Sequence, residues 1–268
     1  MQLTADYPNV ADYLACLGFF EVASWSAPSL RGDWTDQGFE LDGLDASLFR
    51  AVISAARQAE ATQDVGGSKP GDPKESPVLL KLAGRVLPVN AWLDASFDAK
   101  SVWSPGISGQ VSALATLRSV IAALQKLPEP VGPDQLFAPA ATLGAALADN
   151  HCPQFRFDGS AAWTTLDNGF SINDANIDIA ARPYVEFFAL LGAQAFFPQA
   201  GGTKRNHPRY WVWHEPLPIA LARLAAKGAL PCQRKQLSAR WLEAGNFGAF
   251  SYADELIEKR GKPWTLIV

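Results

Sequence analysis

What this chain has little of narrows its function before any motif is considered. Only three cysteines, Cys16, Cys152 and Cys232, are spread over 268 residues. They form no C-x-x-C pair and no even framework. A disulfide-stapled scaffold is therefore excluded, and a reducing cytoplasm fits. Histidine is equally scarce, with only His151, His207 and His214. His207 and His214 with Cys152 or Cys232 match no standard zinc spacing. The longest apolar stretches fall short of the roughly 20 residues that a bilayer-crossing helix needs. The opening residues carry no charged stretch followed by an apolar run, so no secretory signal is expected. Together these absences leave a cytoplasmic protein without membrane contact as the expectation.

Recognisable catalytic signatures are missing as well. Gly106-Ile107-Ser108-Gly109 is not the G-x-S-x-G elbow. Gly66-Gly67-Ser68-Lys69 ends like a phosphate-binding loop, but position 62 is Thr and Pro70 forbids the helix that should come next, so a flexible loop is expected. Asp167, Asp174 and Asp178, with Asn168, Asn173 and Asn176, have the composition of a hard-cation loop without the EF-hand order, and read as solvated loop. The expectation is a protein with no catalytic residue, no metal and no cofactor.

Apolar residues, by contrast, are plentiful. The chain is 48% hydrophobic and 19% charged, enough for a sizeable core in one large domain or two small ones. Nine tryptophans are more than a core absorbs, which puts some at interfaces. Two stretches echo each other: Tyr13-Leu14-Ala15-Cys16-Leu17-Gly18 and Phe187-Phe188-Ala189-Leu190-Leu191-Gly192. Each reads aromatic, apolar, Ala, apolar, Leu, Gly. A helix apolar nearly all round is a buried helix. Glycine inside a helix costs roughly 1 kcal/mol relative to Ala, so its recurrence at one place points to close packing of another backbone. The two are read as the central helices of two halves, within reach of each other. A chance echo between unrelated helices stays open, because six residues are a short match. Glu186 is the one acid between Tyr184 and Phe197. Buried alone it would be costly, so Arg182, one turn away, is its expected partner in a structural role.

Along the chain, Asn9 caps a helix to about Ser26, with Asp12 in its first turn. Pro28, Gly32 and Gly38 break the chain after that helix, and Phe39-Glu40-Leu41 alternates as a short strand. Asp45 caps a helix to about Glu60 with Leu48, Val52, Ala55 and Ala59 on one face. Residues 61–77 read as a mobile loop. Val78–Leu82 and Arg85–Ala91 form a hairpin turning at Ala83-Gly84. Trp103 falls in a loop, and Ile107–Leu127 is an amphipathic helix. Four prolines mark 128–139 as a linker between an N-terminal half, 1–127, and a C-terminal half, 140–268. In the second half, a helix over about 140–149, a strand at Phe155-Arg156-Phe157 and a loop from Ser160 to Ile179 precede the helix opened by Pro183 and stopped by Pro198. Tyr210–Trp213 reads as a strand and Pro216–Lys227 as a helix stopped by Gly228. The tail holds a strand near Leu237–Trp241, a helix around Ala253–Lys259 and the run Trp264–Val268. Helices and short antiparallel strands mix without βαβ alternation, so the expected class is α+β, two halves each with a buried apolar helix.

The net charge of −4 hides an asymmetry. From Gln199 to Arg240 eight basic residues stand against Glu215 alone, giving +7 and leaving −11 for the remainder. Within it Lys204, Arg205 and Arg209 interleave with Tyr210, Trp211 and Trp213, and Arg234 and Lys235 come after them. Cations suit phosphates, and flat aromatic faces suit exposed bases. These residues, with Trp211 the aromatic singled out, are the candidate nucleic-acid contacts. The alternative is a surface strand whose aromatics face the core beside a solvated basic loop.

Several blocks resemble a known family. Ala15-Cys16-Leu17-Gly18-Phe19-Phe20-Glu21-Val22-Ala23 looks like the opening "ACLGFLEAA" of small, large-subunit-like CRISPR-associated proteins of type I-U (I-G) systems. Phe155-Arg156-Phe157-Asp158, Ala162-Trp163-Thr164-Thr165-Leu166-Asp167, Arg182–Gly192 and the stretch Trp213–Ala220, which holds Pro216-Leu217-Pro218, resemble later blocks in the same order. Lys100–Gly106 departs from the family's Trp–Gly block by extra residues. The resemblance implies a non-enzymatic subunit of a crRNA-guided complex. Its partners would be other effector subunits, crRNA, target DNA and a helicase-nuclease. A rival expectation is a protein-binding scaffold without nucleic-acid contact, which the tryptophans and the acidic remainder favour.

Overall fold

The computed structural model describes residues 1–63, 77–91, 113–130, 132–138, 157, 182–196, 208–232, 234–244 and 247–256. It is built around two helices. α1 (Val10–Ser24) begins at Asn9, whose Oδ1 accepts a 3.0 Å hydrogen bond from the Ala11 amide, with Asp12 in the first turn. Every residue of α1 is buried. The second, Pro183–Phe196, starts on its proline and buries all but Gln194 and Ala195. It is called α5 below.

These helices cross at their glycines. A Cβ on Gly18 would stand 1.9 Å from the Phe188 carbonyl oxygen, and one on Gly192 2.0 Å from the Leu14 carbonyl oxygen. Phe188 precedes Gly192 by four residues, as Leu14 precedes Gly18, so the contact is reciprocal. The echo in the sequence therefore has a physical cause: each helix needs a bare backbone where the other passes. Phe19 and Phe188 close one side of the crossing, their ring centroids 5.4 Å apart.

Short antiparallel sheets and shorter helices surround the pair. The first sheet runs β1 (Gln2–Leu3), β3 (Gly38–Asp42), β2 (Arg31–Thr35), β8 (Leu217–Pro218) in spatial order. Its last step joins the N-terminal half to the C-terminal half, Arg31 opposite Pro218 and Gly32 opposite Leu217. A second sheet holds β4 (Glu60–Gln63), β5 (Val78–Leu82) and β6 (Arg85–Val89). The β5–β6 turn has Ala83 and Gly84 at φ 49° and 74°, the pattern of a two-residue type I′ hairpin. The third is β7 (Arg209–Trp213), β9 (Arg234–Ser238) and β12 (Asp254–Glu255), and β10 (Trp241–Ala244) pairs with β11 (Phe247–Phe250). α2 (Ala46–Arg57) and α3 (Ala113–Lys126) pack beside the central pair, while α6 (Ile219–Ala226) comes directly after β8. The fold is α+β, and one apolar cluster contains residues of both halves.

Some expectations need correction. Gly32 does not break the chain but lies within β2, where a Cβ would press 2.6 Å from the Phe39 ring. Glu60 opens β4 instead of ending a helix. The buried face of α2 is Phe49, Val52, Ile53 and Ala56, with Leu48 and Ala55 half-buried, because Phe49 turns in to meet Phe19. The helix expected from Pro216 begins at Ile219, since Leu217–Pro218 is claimed by pairing with β2. Asp254–Glu255, expected in a helix, pairs with β9. Arg182 makes a contact that the sequence does not foretell: its Nη1 lies 2.7 Å from Asp12 Oδ1 on α1. Within the Pro-rich stretch, α4 (Pro133–Leu136) buries Leu136, and Asp134 accepts a hydrogen bond from Thr4. The loop at 64–76, the Trp103 loop, residues 107–112, the 140–149 helix, the strand and loop over 155–179 apart from buried Phe157, and Trp264–Val268 lie outside the described residues.

Gly18→Ala and Gly192→Ala should each lower stability by about 1–3 kcal/mol or more, because the added methyl meets backbone that cannot rotate away. Gly132→Ala, where a Cβ meets nothing within 4 Å, should leave the urea midpoint unchanged. Equal midpoints for all three variants would refute the close crossing.

Candidate nucleic-acid interface

The basic, aromatic stretch is organised by β7. Its alternation sends Tyr210 and Val212 inward, both fully buried, and Arg209 and Trp211 outward. Two phenols fix the inner face to the N-terminal segment. Tyr13 donates 2.9 Å to the Trp211 carbonyl, and Tyr210 donates 2.8 Å to the Tyr7 carbonyl. Their rings lie 4.2 Å apart. Burial pushes both phenols well above the ordinary tyrosine range, so they act as neutral donors. Trp213 should share the outer face with Trp211, yet it is fully buried. There β2 covers the strand: the Trp213 indole donates 2.8 Å to the Gly32 carbonyl and stands edge-on to Phe39.

Residues directly opposite in an antiparallel pair share a face. Arg209 lies opposite Ser238, Trp211 opposite Gln236, Trp213 opposite Arg234, and Val212 opposite Lys235. The outer face thus carries Arg209, Trp211 and Arg234, with Arg209 and Arg234 exposed. Lys235 falls on the other face, half-buried at its margin. Lys204 and Arg205 lie outside the described residues. The face also has two features that the sequence does not reveal. The Trp211 ring rests on Gly228, whose φ is +71° and whose Cβ would sit 2.6 Å from the indole. One aromatic face is therefore already covered by the turn after α6. Arg234 Nη1 donates to the Leu230 carbonyl of that same turn and holds it there. On the other side of β9, β12 brings exposed Asp254 and Glu255, and Arg240 stands 3.7 Å from Asp254. So open a pair contributes about 0–1 kcal/mol.

The +7 of this segment is distributed unevenly. Arg223 is neutralised by Glu21 of α1, its Nη2 lying 2.6 and 2.5 Å from the two carboxylate oxygens. Arg209, Lys227, Arg234 and Lys235 form no ion pair with a described residue. Glu21, an acid near the end of a helix that is apolar from Tyr13 to Phe20, was the signal that could have foretold the Arg223 pair. The acidic remainder includes the outer face of β2–β3, where Asp33 stands opposite Glu40 and Arg31 opposite Asp42. Partial burial, then the Glu40 charge, raise the Asp33 carboxyl above its ordinary range, with His214 pulling the other way. His214 itself is held by a 2.7 Å contact of Nδ1 with the Trp34 carbonyl.

Among the described residues no three His, Cys, Asp or Glu side chains gather as a metal-holding group. His151, Cys152, His207, Asp167, Asp174, Asp178 and the Gly66–Lys69 loop lie outside them. No helix among the described residues is long and apolar enough to cross a membrane. No protein-family model and no curated protein matches this chain.

The charge pattern of β2–β3 predicts a pH effect. A carboxyl raised in the folded state adds stability at low pH that is lost as pH rises through its titration. Glu40→Gln removes one cause of that loss. It should raise stability at pH 7 by about 0.2–1 kcal/mol, and the gain should disappear below about pH 3, where the raised Asp33 carboxyl is protonated and carries no charge to repel. Urea midpoints at the two pH values check this, and an equal gain at both would rule out charge as the cause.

Proposed function

We propose that this chain is a non-catalytic subunit of a crRNA-guided CRISPR effector complex, acting in the cytoplasm in antiviral defence. It contributes to assembly with the other effector subunits and contacts target DNA or crRNA. The observation that carries the reading is the pair of exposed cations without an ion pair to a described residue, Arg209 and Arg234, on the outer face of a sheet anchored to the core through Tyr13 and Tyr210. Four strand residues separate their rows, about 13 Å, so they suit different phosphates of one backbone. The blocks that resemble the family supply the frame for this face. Ala15–Ala23 and Arg182–Gly192 are parts of the two crossing helices, and Trp213–Ala220 runs from β7 into α6. In such a complex base pairing reads the sequence, while protein cations read backbone and a short flanking motif. A helicase-nuclease recruited to the complex would carry the chemistry.

A second reading, a protein-binding scaffold without nucleic-acid contact, is favoured by one specific observation. The Trp211 face that would receive a base lies on Gly228, while Leu221 and Leu224 of neighbouring α6 are exposed.

The deciding measurement is target binding by the assembled complex at several salt concentrations. Arg209→Ala and Arg234→Ala should each weaken binding and flatten the log–log slope by roughly 0.9 on duplex DNA, or 0.7 on a single strand. Lys204→Ala and Arg205→Ala should do the same, and Lys235→Ala should do less, since it lies on the inner side. Unchanged affinity and slope in all of them overturns the nucleic-acid reading. Loss of assembly in Leu224→Glu with an intact slope supports the scaffold.

A further inference from the structure

An aspartate that precedes a glycine can rearrange without an enzyme, through attack of the next main-chain nitrogen on its own carboxyl. The reaction needs a carboxyl that nothing holds, an amide that no acceptor holds, and room for a five-membered ring. Among the described residues Asp42-Gly43 is the one such pair, and it meets all three conditions.

Asp42 is exposed at the end of β3, and its carboxyl has no hydrogen bond or ion pair with a described residue. Other described aspartates are occupied. Asp12 meets Arg182, Asp45 caps α2 through the Leu48 amide, Asp134 accepts from Thr4, and Asp254 stands beside Arg240. Asp6, Asp33 and Asp36 precede Tyr7, Trp34 and Gln37, whose side chains crowd the amide to be used. Gly43 lies beyond the last residue of β3 in either of its ladders, and its amide has no hydrogen-bond partner among the described residues. A Cβ there would find only Leu30 Cδ1 within 4 Å, at 3.6 Å, so the ring has space to close. Gly43 has no Cβ of its own, and its φ of +89° shows the freedom that this allows. Asp42 pairs with Arg31 in the last step of the β2–β3 ladder, and the ends of elements open most readily.

We propose that Asp42-Gly43 is a site of spontaneous isoaspartate formation in the folded chain. The Gly43 nitrogen bonds to Asp42 Cγ, and one carboxyl oxygen leaves as water with the amide proton. Water then opens the cyclic imide at the former main-chain carbonyl of Asp42. That carbon becomes a free carboxylate, and the main chain now runs through Cγ, longer by one carbon. The water released is the water returned, so no other reactant is consumed. The extra carbon falls just ahead of buried Leu44, whose amide donates to the Leu41 carbonyl at 3.3 Å, and of Asp45, the cap of α2. Isomerisation therefore shifts the turn that delivers α2 to the core. The assignment is independent of the nucleic-acid reading of β7.

The test ages the full chain in warm neutral buffer made with heavy-oxygen water, beside a sample kept unfolded in urea. Trypsin then releases the peptide 32–50, and electron-transfer fragmentation tells a β-linkage from an α-linkage at position 42. The folded chain should accumulate the β-linkage there, with one heavy oxygen per ring opened, at a rate within severalfold of the unfolded sample. Gly43→Ala should slow it severalfold, and Asp42→Glu, which would need a six-membered ring, should abolish it. Absence of the β-linkage in the folded chain, its appearance in the urea sample alone, or an unchanged rate in Gly43→Ala overturns the proposal.

Discussion

The backbones of α1 and α5 approach so closely at Gly18 and Gly192 that each helix occupies the volume a side chain of the other would fill. The arrangement has a local cost of roughly 1 kcal/mol for each glycine in a helix interior. It gives long-range contact between segments about 170 residues apart, which no local propensity supplies. With the glycines fixed, the positions of the flanking large residues are set. Tyr13 and Phe19 lie on either side of the crossing, and each finds an aromatic partner from another part of the chain: Tyr210, Trp34, Phe49 and Phe188. Sheets and outer helices are then laid against a pair of helices that has almost no solvent-facing side.

A helix buried all round must still deal with its charges. Asp12, Glu21 and Glu186 lie in the two central helices and are all buried. Such acids are tolerated when a cation or hydrogen-bond donor meets them. Asp12 takes Arg182 from the residue before α5, and Glu21 takes Arg223 from α6. Each pair ties a later part of the chain to α1 at a defined place, one near the start of α1 and one near its end. The same polar ties serve the surface. Without Glu21, the Arg223 guanidinium would lose the carboxylate that neutralises it. Without Tyr13, the Trp211 carbonyl would lose its anchor to α1.

Features with a local cause were legible in the sequence. Asn9 and Asp45 cap the helices they precede, and Ala83-Gly84 turns the hairpin. The glycine echo was legible because backbone contact restricts the residue type so strongly. Features decided by a distant partner were not. Gly32 looks like a breaker until Phe39 and Phe20 are seen to fill the space above it. Leu217–Pro218 looks like the start of a helix until β2 is seen to pair with it. The partner of Asp12 was not legible either: it is Arg182, the residue before α5, whose guanidinium reaches across to α1. Within the candidate interface, the alternation of β7 accounts for Arg209 and Trp211 on one face. It could not say that Gly228 would roof Trp211, or that β9 would begin at Arg234 and so part Arg234 and Lys235 to opposite faces.

The roof over Trp211 bears on what kind of contact the outer face can make. Stacking needs a free aromatic plane, and one plane of this indole is occupied. Phosphate contact needs only an exposed cation, and Arg209, which forms no ion pair with a described residue, meets that condition at the start of β7. Arg234 meets it in part, since one of its nitrogens is committed to the turn that roofs Trp211. Drawing Arg234 onto a phosphate would release that turn from its hold, which links cation engagement to exposure of the indole. Under the proposed nucleic-acid reading, a face of this construction would make backbone contact first and base contact only as a consequence. That order suits a subunit in which sequence is read by pairing between nucleic-acid strands and the protein supplies charge and position.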